Sequence, residues 1–289
     1  MTRLRKWWLS LRPFSLPISI LSIMLGLVIA GKTTYLDPIG ALLALATGLV
    51  LHIIANVFNS YFDWKLGHDQ SGDSQVVPLL MDPNLGAKAL WAYGLAFLIL
   101  GIGLTIILGL RYNPLVMIIA LVGLLNAYFY TAPPIAYKKR GLGLPLVFIS
   151  MGILMPLNTF LIQTMDLNYQ IIANPVPLAL LITAILQGNE LRDYHSDLQH
   201  GINSFSAIYG LKAGIKLYQL LVIVPYIMLI FLIFAGLLPV FVLVVFLSSR
   251  YALTLVQRAD QHDFKGLDSA TAKLHAAFGL LYILAQVIG

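Results

Sequence analysis

No cysteine occurs among the 289 residues, which excludes disulfides, thiolate metal sites and a thiol nucleophile. Charge is nearly as scarce. Asp, Glu, Lys and Arg together make up 10% of the chain, where a soluble domain carries about 25%. With 59% hydrophobic residues and a mean hydropathy of +0.86, such a chain is dissolved in lipid and reads as an integral membrane protein. The net charge of +6 does not point to nucleic acid, because basic residues of a polytopic membrane protein gather in its loops.

What the sequence has in abundance is long apolar runs. Crossing about 30 Å of hydrocarbon takes about 20 residues. Runs of that order lie near 14–31, 38–60, 87–109, 113–131, 144–164, 171–191, 213–236, 238–257 and 271–288, which predicts about nine spans in an all-α bundle. The first follows a basic stretch without a clear small-residue cleavage site, so it is expected to be a retained helix. Alternating topology puts 16 of the 18 basic residues on the side of the N-terminus and leaves only Lys32 and Arg111 opposite. The positive-inside rule then predicts a cytoplasmic N-terminus and, with nine spans, Gly289 on the far side. One membrane domain is expected over residues 1–289, in a cell or inner membrane.

The connections after spans two and six, 63–86 and 192–210, are longer than ordinary turns and rich in polar residues. Each begins alike: Asn59 and Asp63 close span two, and Asn189 and Asp193 close span six, at the same spacing of four. The chain thus reads as two four-helix halves with equivalent polar ends plus a ninth helix, a weak internal repeat.

Residues four apart share a helix face, so Asn59 and Asp63 form one oxygen cluster, and Asn189, Asp193 and Asp197 form another if the helix continues. Oxygen-only donors suit Mg²⁺, which takes one or two carboxylates and completes its shell with substrate phosphates. Acids at a helix C-terminus oppose the macrodipole and call for positive compensation. Lys65 and Arg192 flank the acids, and Lys138, Lys139 and Arg140 lie on the same side, with Lys138 or Arg140 the best candidate; cations interleaved with a magnesium site describe a diphosphate pocket. The alternative is that these acids solvate helix ends and these cations anchor loops. His52 reads as a packing histidine, and His195 and His200 as solvated. Asn158, Thr159, Gln163 and Gln187 could line an acceptor pocket or satisfy helix packing.

"LRPFSLPISILSIMLG" at 11–26, "ANVFNSYFDWKLGHD" at 55–69, "YTAPPIAYKKRGLG" at 130–143 and "GNELRDYHSDLQHGINSFSAIYGLKAG" from 188 resemble the UbiA-type intramembrane prenyltransferases. The similarity is greatest to the branch that prenylates 1,4-dihydroxy-2-naphthoate in menaquinone synthesis. The resemblance implies a UbiA-like helical bundle and a Mg²⁺-dependent transfer from an isoprenyl diphosphate to an aromatic acceptor. It implies Asn59, Asp63 and Asp69 as one set of metal ligands and Asn189, Asp193 and Asp197 as the other. Arg192, Lys138, Arg140 and Lys65 would then attend the diphosphate, and Phe58, Tyr61, Tyr128 and Tyr130 would face the allylic cation. No obligate protein partner is expected beyond the lipid bilayer.

Two positions depart from the family pattern: Ser60 stands where Asp is common, and Leu144 where the naphthoate branch usually has Glu. The Tyr-x-x-x-Lys signature of the hydroxybenzoate branch is absent after Tyr130. Other acceptors, namely hydroxybenzoate, homogentisate, a tetrapyrrole or a lipid headgroup, stay open. A secondary transporter is the competing class, although transporter sites sit near the bilayer midplane and these acids sit at helix ends.

Overall fold

A computed structural model describes residues 2–65, 77–81, 86–167 and 170–289. The described residues contain helices and turns and no strand. Eight helical segments are long and apolar enough to cross a membrane, here named with one shorter apolar helix in chain order. They are α1 (Pro13–Gly31), α2 (Pro38–Lys65), α3 (Gly86–Arg111), α4 (Pro114–Phe129, the shorter one), α5 (Gly143–Thr164), α6 (Ile171–Arg192), α7 (Leu211–Phe234), α8 (Val240–Asp260) and α9 (Leu267–Ile288). A short helix, Arg3–Ser10, precedes them and rests Trp7 edge-on against Tyr93 of α3 at 4.5 Å.

The sequence leads one to expect nine full-length spans, and α4 is shorter than that. Its 16 residues rise only about 24 Å at 1.5 Å each. It nevertheless returns the chain to its starting face, because Lys138, eight residues beyond Tyr130, ion-pairs with Asp63 at the end of α2. Asn113 caps α4 through the Leu115 N–H, and Pro114 occupies the first turn where no N–H is needed.

Between apolar helices in apolar solvent, burial of oily surface provides no net drive, so close backbone approach and polar contacts hold the bundle. The outer face of α3 suits hydrocarbon: Ile99, Ile102, Ile106 and Leu110 run along it as one exposed apolar stripe. The helix α6 is the most enclosed, with 67% of its apolar window buried against 22% for α3, so α6 is the post around which α5, α7 and α9 pack. In the first half α2 packs on α3, as α6 packs on α7 in the second, and α1 lies against α5, the pairing expected of repeated halves.

Within α5, residues Phe148–Leu154 widen into π-type turns just before Pro156, whose missing N–H breaks the regular ladder. The widening brings Gly152 onto α6, where an added Cβ would sit 2.3 Å from the Cβ and 2.8 Å from the Cα of Ala179. Backbone on both sides leaves nothing to yield. Gly152→Val should therefore destabilise the bundle by about 1–3 kcal/mol or more, read as a lower unfolding temperature in detergent. An unchanged melt would mean that α5 and α6 do not approach this closely.

At the face away from the acid motifs, polar contacts clamp three helices. Tyr112, between α3 and α4, donates to Asp37 Oδ2 at 2.6 Å and accepts from Arg111 Nε at 3.1 Å. Gln163 in α5 accepts from the Asp37 N–H at 2.7 Å, and Asp37 Oδ1 caps α2 through the Ile39 N–H. Gln163 is thereby a packing residue.

Candidate active site

The last turns of α2 present Asn59 and Asp63 on one face, and Asp63 is buried. Its Oδ2 accepts from Lys138 Nζ at 2.8 Å. Lys138 is brought there by the turn Tyr137–Arg140, which is pinned to the end of α4 by the Lys138 N–H bonding the Tyr130 carbonyl at 2.9 Å. Burial opposes the Lys138 ammonium, but the Asp63 carboxylate more than compensates and the pKa is raised, so the lysine stays charged.

Asn59 Oδ1 accepts from Lys138 Nζ at 3.3 Å; with the amide turned over, its nitrogen donates to Asp63 Oδ2 at 3.1 Å and its oxygen accepts from Arg12 Nη1 at 3.3 Å. Arg12, in left-handed backbone between the first short helix and α1, also donates through Nη2 to Ser60 Oγ at 3.0 Å. Its loop is tied to α2 by Asn56, which donates to the Leu11 carbonyl and to Ser15 Oγ. His52 is a packing histidine: its two ring nitrogens contact Ser15 and Ser19 hydroxyls at 3.2 and 2.7 Å.

The second motif closes α6. Asp193 ends the helix, the helix Tyr194–Gln199 follows at once, and the Asp197 N–H bonds the Asp193 carbonyl at 2.8 Å. The helical path therefore does reach Asp197. Arg192 donates to both carboxylate oxygens of Asp193 and to Asn189 Oδ1, each at 2.8 Å, and to Asp268 Oδ2. Burial pushes the Asp197 carboxyl up to about 6; Ser204 and the Lys138 ammonium oppose this, and the Asp193 and Asp63 carboxylates add to it. Acids from both motifs and Lys138 thus share one electrostatic neighbourhood. Tyr130 belongs to it too: burial first, then Glu190 and Asp63, raise its phenol and keep it protonated.

Not every residue expected at the site arrives there. Lys65 is exposed at the end of α2. Arg140 is exposed and donates to the Pro134 carbonyl of its own loop. Asp69 lies outside the described residues. Phe58 is fully buried and T-stacked on Trp91 and Tyr128, so it is core. Gln187 is spent on Ser206 and the Gly214 carbonyl.

Three residues at the site escape a reading of motifs alone. Arg12 is one, and Asp268, in the first turn of α9, is the second. The third is Glu190, the chain's one glutamate, whose Oε2 accepts from the Phe205 N–H at 2.9 Å. Its Oε1 and the Tyr130 hydroxyl both border Gly143, at 3.8 and 3.3 Å from where a Cβ would stand. A lone glutamate between two motif residues is the signal that could have marked it.

Among the described residues no three acidic or histidine side chains stand close enough to share a metal ion. The donor chemistry still fits magnesium. Asn59, Asp63, Asn189, Asp193 and Asp197 offer only oxygen, Asp63 uses only Oδ2 in the contacts above, and phosphate oxygens normally complete such a shell.

The profile of the UbiA prenyltransferase family matches residues 19–278. The chain belongs to the UbiA prenyltransferase family. It is an integral membrane prenyltransferase. It is 28% identical to 1,4-dihydroxy-2-naphthoate octaprenyltransferase of Bacillus subtilis (strain 168), over 97% of this chain and 92% of that one. It is 30% identical to UbiA prenyltransferase domain-containing protein 1 of Xenopus tropicalis, over 97% and 81% respectively. In fold it is similar to a UbiA homologue from Archaeoglobus fulgidus solved with GPP and Mg²⁺, with a TM-score of 0.66 and 14% identity over 98% of this chain and 100% of that one.

Proposed function

We propose that this UbiA prenyltransferase moves a polyprenyl group from an isoprenyl diphosphate to an aromatic acceptor, 1,4-dihydroxy-2-naphthoate, as one catalytic unit spanning residues 1–289. The observation that carries the reading is that Asp197, from the second motif, lies within electrostatic reach of Lys138 and Asp63, the ion pair that closes the first. Asn59, Asp63, Asn189, Asp193 and Asp197, with Asp69 as a further ligand, would hold magnesium, whose charge makes departure of the diphosphate feasible.

The rest is work for the chain's own side chains. The Lys138 ammonium and the Arg12 guanidinium are half-buried beside Asp63, and among the described residues only Lys138 of the pair has a carboxylate in contact, which leaves positive charge for diphosphate oxygens. Lys65 and Arg140 add positive potential at the rim. Tyr130 presents a protonated phenol and a ring face near the bond that breaks. Apolar helix walls keep water from the allylic cation and give the prenyl tail a path into the bilayer.

The acceptor rests on the Bacillus relative's name and on the absent hydroxybenzoate signature. Although Leu144 replaces an acid usual in the naphthoate branch, Glu190 brings a carboxylate beside Gly143, next door. The skewed distribution of basic residues supports a cytoplasmic N-terminus and site, with Gly289 on the opposite side.

Purified protein with Mg²⁺, geranylgeranyl diphosphate and a panel of acceptors tests this by mass spectrometry. The expected product is prenylated dihydroxynaphthoate with released pyrophosphate. Consumption of another acceptor while dihydroxynaphthoate stays unmodified would overturn the acceptor assignment, and flux of a small solute without pyrophosphate release would favour a transporter.

A further inference from the structure

The environment of Arg192 is built from two directions. From its own helix end come Asp193, gripped by two parallel hydrogen bonds, and Asn189. From α9, 76 positions along the chain, comes Asp268, bonded to Nη1. The approach of the two helices is close by construction: a Cβ on Gly188 would lie 3.2 Å from the Asp268 nitrogen and 3.4 Å from its Cα. The Asp268 side chain is 16% exposed, and its second oxygen, Oδ1, is buried without a partner.

A carboxylate in the first turn of a helix gains modestly from the macrodipole. Leaving a buried carboxylate oxygen unsatisfied costs more than that gain. The dipole alone therefore does not account for Asp268 here, and the contact with Arg192 is the interaction that remains to hold it. Two carboxylates on one guanidinium also leave a surplus negative charge. That surplus lets one acid turn elsewhere without stranding the cation.

We infer that Asp268 is a positioning residue for the second acid motif: it anchors Arg192, so that Asp193 can release the guanidinium and offer its oxygens to a divalent ion carrying a diphosphate. The inference rests on the proposed function, in which Asp193 is a metal ligand. Without the Asp268 charge, Asp193 is the one counter-ion left to Arg192 among the described residues and is held harder, and the divalent ion competes less well.

The test is Mn²⁺ binding to the full-length protein in detergent with inorganic pyrophosphate, followed by electron paramagnetic resonance. Asp268→Asn should weaken Mn²⁺ affinity by about tenfold or more, the scale of lost outer-shell support. Asp268→Glu should recover part of it. In an Arg192→Gln background, Asp268→Asn should have no further effect, since Asp268 acts through Arg192. Mn²⁺ affinity in Asp268→Asn equal to that of the unmodified protein would overturn the inference, as would a full additional loss in the Arg192→Gln background. An unmodified protein that binds no Mn²⁺ with pyrophosphate would overturn the functional reading, and the inference with it.

Discussion

Asp63→Asn should lower prenyl transfer on the order of a thousandfold, the loss typical when a preorganised charge-stabilising group is removed from a reacting centre. Two effects combine in that substitution and need separating. Lys138 loses its carboxylate, and breaking a buried ion pair on one side costs about 3–5 kcal/mol. That figure is an upper bound here, because the lysine side chain is 29% exposed. The double variant Asp63→Asn with Lys138→Met removes both charges and should recover most of the lost thermal stability. It should remain inactive, since neither the metal ligand nor the diphosphate cation is restored. A double variant with more than a tenth of normal turnover would refute the assignment of Asp63 to the reaction.

Removal of divalent ions should abolish turnover as completely. Both acid ends of the described structure meet protein cations, Asp63 with Lys138 and Asp193 with Arg192, so the fold should survive without a metal. A chelator should therefore silence product formation while leaving far-ultraviolet circular dichroism unchanged, and excess Mg²⁺ should restore the rate. Turnover that persists in chelator would remove magnesium from the proposal. Helical content that collapses with the rate would mean that the ion holds the bundle together as well.

Much of the architecture is legible before any coordinates. Apolar runs of about 20 residues are forced by bilayer thickness, and a spacing of four is a property of any helix, so Asn59 with Asp63 and Asn189 with Asp193 share faces whatever the tertiary packing. The shorter α4 is harder to see, because Tyr130 to Ala132 keep the stretch uncharged after the helix has ended at Phe129. Composition does not distinguish Lys138 from Arg140, two positions apart. The turn Tyr137–Arg140 sends the first to Asp63 and the second back to Pro134, and that choice is made by the fold.

Arg12 and Asp268 illustrate the opposite limit. Each meets its partner, Ser60 or Arg192, across 48 and 76 positions respectively, and no local period encodes such a meeting. The departure at Ser60 acquires a physical reading only from this contact: a hydroxyl there accepts from Arg12 without neutralising it. A neutral partner at this position leaves the guanidinium its full charge.

The Asp37 clamp has a mechanical corollary. Tyr112 and Gln163 fasten α2, α3 and α5 together at the pole with no reactive groups. The acid pole is fastened separately, by Lys138 on Asp63 and Arg192 on Asp268, so Asp37→Ala should loosen α2, α3 and α5 at their far ends without moving the acid ends of α2 and α6.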